Sequence, residues 1–479
     1  MSLRQITIGS IAMASVGILR MIAQMAVIPV LARYVSPHDY GIIAIAMPFV
    51  LFAMMFSDAG ISASLIKTES KNKSEWSTSF WFVVMLGTAL SLVITLAGYI
   101  LSVFMAEDIL FPVIAFLSLS ILLQSFATVP GAALQQQNKY PTIAYIEIAS
   151  TFLSLIATLA SAIYGYGVWA LAVQQVVHYA VKLILTTIIS PFRPHLIIKI
   201  KEITDHLKFG RDLIGSNFLH FIRQSFTATL MGRVLGTAPV GIYSMASLFS
   251  DLPNRMISGP LQVVLYPRLA KLKDDTASIK SLFVFVSRVL SILVVPSIGM
   301  IAFAHEPVFT IVLSDKWQQA GHIFMLLAPA GILQSVTALR NTILMALGKT
   351  DLLLRQTVEM TIILLIPFVV FVWFGLEAAT IALSMSGFVC IPRFLSQIFP
   401  LIGLNMKEYI KAISPPMVIT LCAGVMYLAV EQFDIVNWEK FAVAVLLGGI
   451  ALVISILVQL KNIKSEISNL RAILTYPTA

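Results

Sequence analysis

Residues 77–103 read STSFWFVVMLGTALSLVITLAGYILSV and contain no charged side chain. Because a helix rises about 1.5 Å per residue, this stretch is long enough to cross the roughly 30 Å hydrocarbon core of a bilayer. Comparable apolar stretches recur along the chain, and they predict an all-α integral membrane protein with about fourteen transmembrane helices. The stretches lie at 6–33, 40–66, 77–103, 109–134, 141–164, 167–190, 208–234, 238–266, 281–304, 320–347, 352–375, 377–400, 408–430 and 438–460.

The composition supports this fold class. Of the 479 residues, 58% are hydrophobic and 11% are charged, whereas a soluble domain is roughly half apolar and about a quarter charged. The two cysteines, Cys390 and Cys422, lie inside apolar stretches without the spacing of a metal site. We therefore expect neither a disulfide framework nor a bound metal.

The net charge of +9 could indicate a nucleic-acid partner, but the positions of the basic residues argue against one. Lys and Arg concentrate in alternate loops, for example at Lys71, Lys73, Lys199 and Lys201. Cytoplasmic loops of membrane proteins carry this excess of basic residues. The pattern predicts a multi-pass membrane protein with both termini in the cytoplasm and no nucleic-acid partner.

An internal repeat is indicated by a comparison of the chain with itself at a shift of about 200 residues, as in many transporters. The comparison pairs Arg33 with Arg233 and Gly41 with Gly241, in addition to several apolar identities. The basic and apolar residues near 191–207 predict a segment that lies on the membrane surface, and the alternative is a solvated linker. The predicted domains are an N-terminal lobe of six helices (1–190), a cytoplasmic interfacial linker (191–207), a C-terminal lobe of six helices (208–400) and two additional helices with a cytoplasmic tail (401–479).

Charged and polar residues inside the apolar stretches are the candidate functional residues, because an embedded charge is costly unless it faces protein or water. Several follow helical spacing, which predicts polar helix faces around a cationic, water-filled chamber. The alternative is that the arginines pair with embedded acids as structural bridges between helices. The candidates for substrate binding are Arg20, Gln24, His220, Arg223, Gln224, Arg255 and Arg340, and those for ion coupling are Asp58, Glu147 and Asp251.

Other embedded charges are expected to have structural roles. Lys182 and Arg288 are close enough to the predicted inner face for their side chains to reach the interface. Glu359 is one helical turn from Arg355 and is expected to pair with it. Pro253 and Pro260 predict a kink in the eighth helix.

A nucleotide cofactor is not expected. The tripeptide 348–350 (GKT) resembles the end of a phosphate-binding loop, but Ile343 occupies the position of the required first glycine. The only coupling agents that we expect are protons or sodium ions.

Four short motifs resemble those of a known family. They are LARYVSPHDYG at 31–41, FSDAGI at 56–61, GYGVWAL at 165–171 and LKFG at 207–210. In combination they are similar to the bacterial polysaccharide transporters, the lipid-linked oligosaccharide flippases of the colanic-acid or teichuronic-acid exporter type, in the multidrug/oligosaccharidyl-lipid/polysaccharide exporter superfamily.

The resemblance implies two six-helix lobes in a V-shaped arrangement around a cavity, with transport by alternating access. It implies a polyprenyl-pyrophosphate-linked glycan repeat unit as cargo, in the biosynthesis of O-antigen, capsule or exopolysaccharide. The basic cavity residues of the family would correspond by position to Arg20 and Arg223. Besides membrane lipid, a polysaccharide polymerase and glycosyltransferases of the same pathway would be partners.

A flippase needs no covalent chemistry, so we do not expect an enzyme. One alternative is a cation-coupled multidrug antiporter of the same superfamily, which would be favoured by a cavity richer in embedded acids than in bases. Another is a membrane glycosyltransferase or polymerase, which normally has a sizeable outer loop with acids or arginines. The predicted outer loops are short.

Overall fold

The computed structural model describes residues 3–58, 60–68, 72–199, 221–433 and 436–474, and all of the regular secondary structure in these residues is helical. Contacts between Cα atoms divide the chain into two compact units, Met1–Gly241 and Ile242–Ala479. The helices of the first unit are α1 (Leu3–Tyr34), α2 (Pro37–Asp58), α3 (Ile61–Thr68), α4 (Lys73–Met105), α5 (Leu110–Gln136), α6 (Tyr140–Ile163), α7 (Val168–Ile189) and α8, whose described part covers 221–235.

Helix α9 (Thr237–Pro253) begins in the first unit and continues into the second. A π-helical turn (Asn254–Ser258) separates it from α10, at the place where Pro253 and Pro260 predict a kink. The remaining helices are α10 (Gly259–Lys271), α11 (Thr276–Phe303), α12 (His305–Val312), α13 (Gln318–Val336), α14 (Leu339–Ala346), α15 (Thr350–Phe371), α16 (Leu376–Ile398), α17 (Met406–Glu431) and α18 (Asn437–Leu474).

Eleven of the described helices are long and apolar enough to cross a membrane. Helix α1, helix α8 and the interrupted pair α9–α10 fall outside that count, although each coincides with a predicted span. The sequence-based fold class is therefore confirmed as an all-helical membrane protein. The number of fourteen spans stays a prediction.

The interior of the first unit is rich in small polar residues, whereas its surface is apolar. On α4, Leu92 and Leu96 are exposed, but Ser91 is buried and its hydroxyl donates to the carbonyl oxygen of Ser118 on α5 at 3.0 Å. The hydroxyl groups of Thr95 and Ser118 are 2.9 Å apart. Lipid chains are as apolar as leucine, so helices in a membrane associate through close packing of small residues and interhelical hydrogen bonds.

The sharp turn between α1 and α2 is stabilised by a capping box at the start of α2. The Ser36 hydroxyl accepts from the backbone N–H of Asp39 at 3.2 Å, and the Asp39 carboxylate accepts from the backbone N–H of Ser36 at 3.2 Å. Pro37 occupies the first helical position, where its missing N–H costs no hydrogen bond. The residues 36–39 therefore fix where α2 begins.

The first turns of α2 and α9 cross at two glycines, Gly41 and Gly241. A β-carbon on Gly41 would lie 1.8 Å from the carbonyl oxygen of Thr237, and one on Gly241 would lie 1.8 Å from the carbonyl oxygen of Pro37. Only glycine allows two backbones to approach this closely. Gly41 and Gly241 are also paired by the predicted repeat, so equivalent positions of the repeat contact each other.

This crossing explains why the first compact unit ends at Gly241 and not in the predicted linker. Helix α8 also packs on α2, where the ring of Phe221 stacks on that of Phe52 with centroids 3.8 Å apart. Residues 200–207 of the linker lie outside the described residues. The lobe boundaries inferred from the sequence accordingly stay a prediction.

The described part of the linker is held on the N-terminal part of α4 by hydrogen bonds. Trp81 donates its indole N–H to the carbonyl oxygen of His195 at 2.9 Å, and the backbone N–H groups of His195 and Lys199 donate to the hydroxyls of Ser77 and Thr78. Leu196 is 87% exposed. The segment 191–199 therefore presents apolar side chains outward while its backbone is fixed.

A buried ion pair joins α11 to α18 in the second unit. The Arg288 guanidinium on α11 donates to both carboxylate oxygens of Glu466 on α18, at 3.0 and 3.2 Å, and also to the Gln459 side chain. Arg288 is buried. The expected structural role of Arg288 is thus a pairing with α18, and the prediction that its side chain reaches the interface stays a prediction.

We expect Gly41→Ala to lower the thermal unfolding midpoint of the purified protein in detergent. The new methyl group forces the first turns of α2 and α9 apart, and overpacking of this kind costs about 1–3 kcal/mol. Gly131→Ala is the matched control, because a β-carbon on Gly131 in α5 meets no atom within 4 Å. An unchanged midpoint for Gly41→Ala would contradict the close crossing.

Candidate functional site

Four ionisable side chains from three helices meet around Glu147 in the first unit. Glu147 lies on α6, Arg20 lies on α1, and His178 and Lys182 lie one turn apart on α7. The Lys182 ammonium is 2.5 Å from Glu147 Oε1, and Arg20 Nη1 and His178 Nε2 are 3.5 and 3.9 Å from Glu147 Oε2. We call these four residues the Glu147 cluster.

The Glu147 cluster lies inside the predicted hydrocarbon region. Glu147 is seven residues after the start of α6, and Lys182 is seven residues before the end of α7. At about 1.5 Å per residue, each is roughly 10 Å from the end of its helix. The charges therefore have to be satisfied mainly by one another, because acyl chains offer no hydrogen bonds.

The charges of the Glu147 cluster do not cancel. With His178 neutral, two cations face one carboxylate, which leaves one excess positive charge. Glu147 Oε2 is buried and makes no hydrogen bond among the described residues, although it lies close to Arg20. A cluster with excess positive charge and a loosely held carboxylate oxygen is suited to bind an anion or to exchange a proton.

Arg20 is the most exposed member of the cluster, followed by Lys182. Its side chain is 46% exposed, compared with 15% for Glu147. Gln24, one turn further along α1, is also exposed. Arg20 thus bridges α1 to α6, as expected if the embedded arginines pair with acids between helices. Part of its guanidinium surface is still exposed and can contact a ligand.

Asp58, a candidate for ion coupling, has a local structural role. One oxygen of its carboxylate accepts from the backbone N–H of Ser62 at 3.1 Å and from the Ser62 hydroxyl. These bonds satisfy the first turn of α3, which follows α2 through Gly60 in a left-handed conformation. A carboxylate at this position stabilises a helix N-terminus.

Asp251 and Arg255 pair with each other on the α9 side of the π-helical turn. Arg255 Nε is 2.7 Å from an Asp251 carboxylate oxygen, and Asn254 donates to the other oxygen at 3.2 Å. Both side chains of the pair are substantially exposed. Single π-helical turns occur frequently at functional sites, so the pair is compatible with either a ligand role or a structural role.

Arg340 on α14 retains an unsatisfied group. Its Nε donates to Asn341 at 3.2 Å, and its guanidinium lies over the ring of Phe394 at 4.8 Å. Arg340 Nη1 is buried and makes no hydrogen bond within the described part of the chain. A buried guanidinium nitrogen without an acceptor can accommodate an anionic ligand.

The remaining candidates lie on α8. Arg223 and Gln224 fall in its described part, where Gln224 is exposed and the carbonyl oxygen of Arg223 accepts from the hydroxyl of Thr227 at 2.8 Å. His220 lies outside the described residues. Convergence of Arg20 and Arg223 on one chamber stays a prediction.

One member of the Glu147 cluster was missed by the sequence analysis. Lys182 was expected to have a structural role, and its ammonium pairs with Glu147; that its side chain can reach the interface stays a prediction. His178 was not considered, although Gln174, His178 and Lys182 follow one another on α7 at steps of four residues. That polar stripe on an otherwise apolar helix was the available signal.

Comparison with known families gives a match over more than half of the chain. A family model described as "Polysaccharide biosynthesis protein" matches residues 30–322. The lipopolysaccharide biosynthesis protein WzxC of Escherichia coli (strain K12) is 24% identical, over 88% of this chain and 87% of its own length.

Two solved structures share the fold. The lipid II flippase MurJ, in an inward closed conformation, superposes with a TM-score of 0.72 and 16% identity over 95% of this chain and 100% of its own. A multidrug resistance MATE family transporter of the MOP superfamily, in an inward-facing conformation, superposes with a TM-score of 0.62 and 15% identity over 82% of this chain and 98% of its own. At these identities the likeness establishes the fold alone.

We expect Lys182→Met and Glu147→Gln each to destabilise the protein, because each leaves charge without its partner inside the bilayer. The double variant Glu147→Gln/Lys182→Met should be more stable than the sum of the single effects predicts, with a coupling energy of roughly 0.5–3 kcal/mol. The free energy of unfolding in mixed micelles measures this cycle. Lys461→Met, at an exposed position, is the control, and strictly additive effects would rule out the pairing.

Proposed function

Because the chain belongs to the polysaccharide biosynthesis protein family, we propose that it is a flippase for a polyprenyl-pyrophosphate-linked oligosaccharide repeat unit. It moves this lipid from the cytoplasmic to the outer leaflet of a bacterial inner membrane, for the synthesis of O-antigen, capsule or exopolysaccharide. The observation that carries the proposal is the excess positive charge of the Glu147 cluster within the membrane, with the half-exposed Arg20 at its edge.

The chemistry of the cluster fits a pyrophosphate. A guanidinium presents several N–H donors in one plane, which match the oxygens of a phosphate group. The flippase only has to replace the water shell of the polar head with protein contacts, since no bond is made or broken. Arg20, assisted by Gln24 and by Arg223 and Gln224 on α8, provides such contacts, while the polyprenyl tail remains in lipid.

Glu147 is the candidate for coupling transport to an ion. As a carboxylate it competes with an anionic cargo for Arg20 and Lys182, which are 3.5 and 2.5 Å away. Protonation of Glu147 would free both cations for the cargo. Proton binding to Glu147 is therefore linked to cargo binding, because Glu147 and the cargo compete for the same two cations. Asp58 and Asp251 are weaker candidates for ion coupling, since each has a local partner within its own segment.

We propose the full architecture that the resemblance implies: fourteen spans, with lobes at 1–190 and 208–400 related by the repeat, and two additional helices after residue 401. The lobes form a V-shaped arrangement and carry the cargo by alternating access. Both termini are cytoplasmic in this proposal. A polymerase and the glycosyltransferases of the same pathway supply and consume the lipid-linked units.

The alternative is a cation-coupled multidrug antiporter, and the fold is compatible with it because the MATE transporter shares it. The excess positive charge of the Glu147 cluster supports the flippase over this alternative, since positive charge repels cationic drugs. A drug antiporter predicts altered resistance to cationic drugs when the gene is deleted. A flippase predicts unchanged resistance and loss of surface polysaccharide.

In a deletion strain complemented with Arg20→Ala/Arg223→Ala, we expect surface polysaccharide to fall by at least about tenfold, equivalent to a loss of roughly 1.4 kcal/mol of cargo binding. The lipid-linked repeat unit should accumulate, because its synthesis continues while its export stops. Quantitative glycan analysis of the cell surface and of extracted lipids measures both. Immunoblotting of membranes establishes that the variant is present at the normal level.

The matched control is Arg268→Ala, which removes an exposed arginine from α10 and should leave both readouts unchanged. Normal polysaccharide output from the double variant would refute the role of Arg20 and Arg223. A changed resistance to cationic drugs, with normal polysaccharide, would favour the antiporter.

A further inference from the structure

The groove between α15 and α16 combines an apolar cavity with a charged end. The cavity has a volume of about 340 Å³ and is lined by Ile363, Pro367 and Phe371 on α15 and by Ala382, Met385 and Val389 on α16, among others. Along each helix these residues follow at steps of three or four, so they share one face. The cavity therefore runs along the two helix axes.

The charged end of the groove is an ion triad that joins the two helices. Glu359 accepts from Arg355 Nε and from Arg393 Nε, each at 3.1 Å. Glu359 is one turn before Ile363 on α15, and Arg393 is one turn after Val389 on α16. The triad thus lies directly beside the cavity, on the same helix faces.

The triad has an uncompensated positive charge, because two arginines share one carboxylate. Their side chains are 69% and 54% exposed. Each guanidinium pairs with Glu359 through Nε, and neither has a second partner within the described chain. The remaining N–H groups of both guanidinium groups can therefore donate to an anion, whose oxygens match the planar arrangement of these donors.

Among the eleven described helices that could span a membrane, the one containing α15 is the least buried, with 11% of its most apolar segment inside the protein. Because most of this apolar surface is uncovered, it is expected to contact lipid. A positive charge on a lipid-facing helix is expensive unless it reaches an anionic group at the interface. Arg355 is five residues from the start of α15 and Arg393 is five residues from the end of α16, so both long side chains can extend to the lipid phosphates at the interface.

We propose that this groove binds one anionic phospholipid, with its phosphate on Arg355 and Arg393 and one acyl chain that runs from the triad to the near end of the cavity, at Ile363 and Val389. Ile363 is eight residues after Arg355, a rise of roughly 12 Å, which fits within the roughly 15 Å of hydrocarbon in one leaflet. The predicted topology places the triad at the cytoplasmic side, so the lipid belongs to the inner leaflet. The site lies apart from the Glu147 cluster and does not depend on the identity of the cargo.

The test uses the purified full-length protein in native mass spectrometry. It is titrated with palmitoyl-oleoyl phosphatidylglycerol and, separately, with phosphatidylcholine that carries the same chains. We expect one phosphatidylglycerol to be retained with a preference of about tenfold over phosphatidylcholine. Equal retention of the two lipids would overturn the proposal.

Two variants separate the contributions of charge and groove. Arg355→Gln/Arg393→Gln should reduce the retention of phosphatidylglycerol to the level of phosphatidylcholine. Met385→Trp fills the cavity, leaves the triad intact and should reduce the retention of both lipids. If the double arginine variant does not fold, as judged by gel filtration, the Met385→Trp result decides alone.

The matched control is Arg268→Gln/Lys271→Gln, which removes two basic side chains from the exposed end of α10 and should not change retention. Unchanged retention in Met385→Trp would exclude the groove as the site. Displacement of phosphatidylglycerol by an equal concentration of a long-chain polyprenyl phosphate would show that the groove takes the cargo lipid, and would also overturn the proposal.

Discussion

A charge inside hydrocarbon has no water to solvate it, and this constraint governs the placement of polar groups throughout the protein. Glu147 connects α1, α6 and α7 through Arg20, His178 and Lys182. Arg288 joins α11 to α18, and Glu359 joins α15 to α16. In each case residues far apart in the sequence satisfy one another, so the ion pairs specify which helices are neighbours. Apolar packing alone specifies neighbours poorly, because lipid competes equally well for a leucine surface.

The sequence was sufficient for the fold class, and the reason is physical. Long apolar stretches have no other stable arrangement in a membrane than helices, and every predicted stretch is mainly helical over its described residues. Turns at Gly60 and at 337–338 interrupt the stretches predicted at 40–66 and 320–347. The pairing of Arg355 with Glu359 was also predicted, because both lie on one helix. The partners of Lys182 and Arg288 could not be predicted. They depend on how neighbouring helices are rotated about their axes, and an apolar helix gives little periodic signal of that rotation.

The motifs that carried the family resemblance are mainly packing devices. Ser36 and Asp39 cap α2, and Gly41 permits its crossing with α9. Gly167, from a second motif, has φ of +54°, and a β-carbon there would lie 3.3 Å from the Asp39 carboxylate. The motif at 31–41 and the motif at 165–171 therefore lie against each other within the first unit. Arg20, Glu147 and Lys182 lie outside these motifs. The motifs therefore say more about how the helices pack than about which cargo the protein carries.

Helix α18 has 38 residues and a length of roughly 57 Å, nearly twice the hydrocarbon thickness of a bilayer. Glu466, which neutralises Arg288, lies on the part beyond the predicted membrane span that ends at residue 460. A chain shortened at the apparent membrane boundary would consequently strand a buried guanidinium in α11. Reporter fusions and truncations whose end point is chosen from hydropathy alone would then destabilise the protein in the same way as a mutation in its interior. A fusion or truncation made after Leu474 keeps Glu466 and avoids this effect.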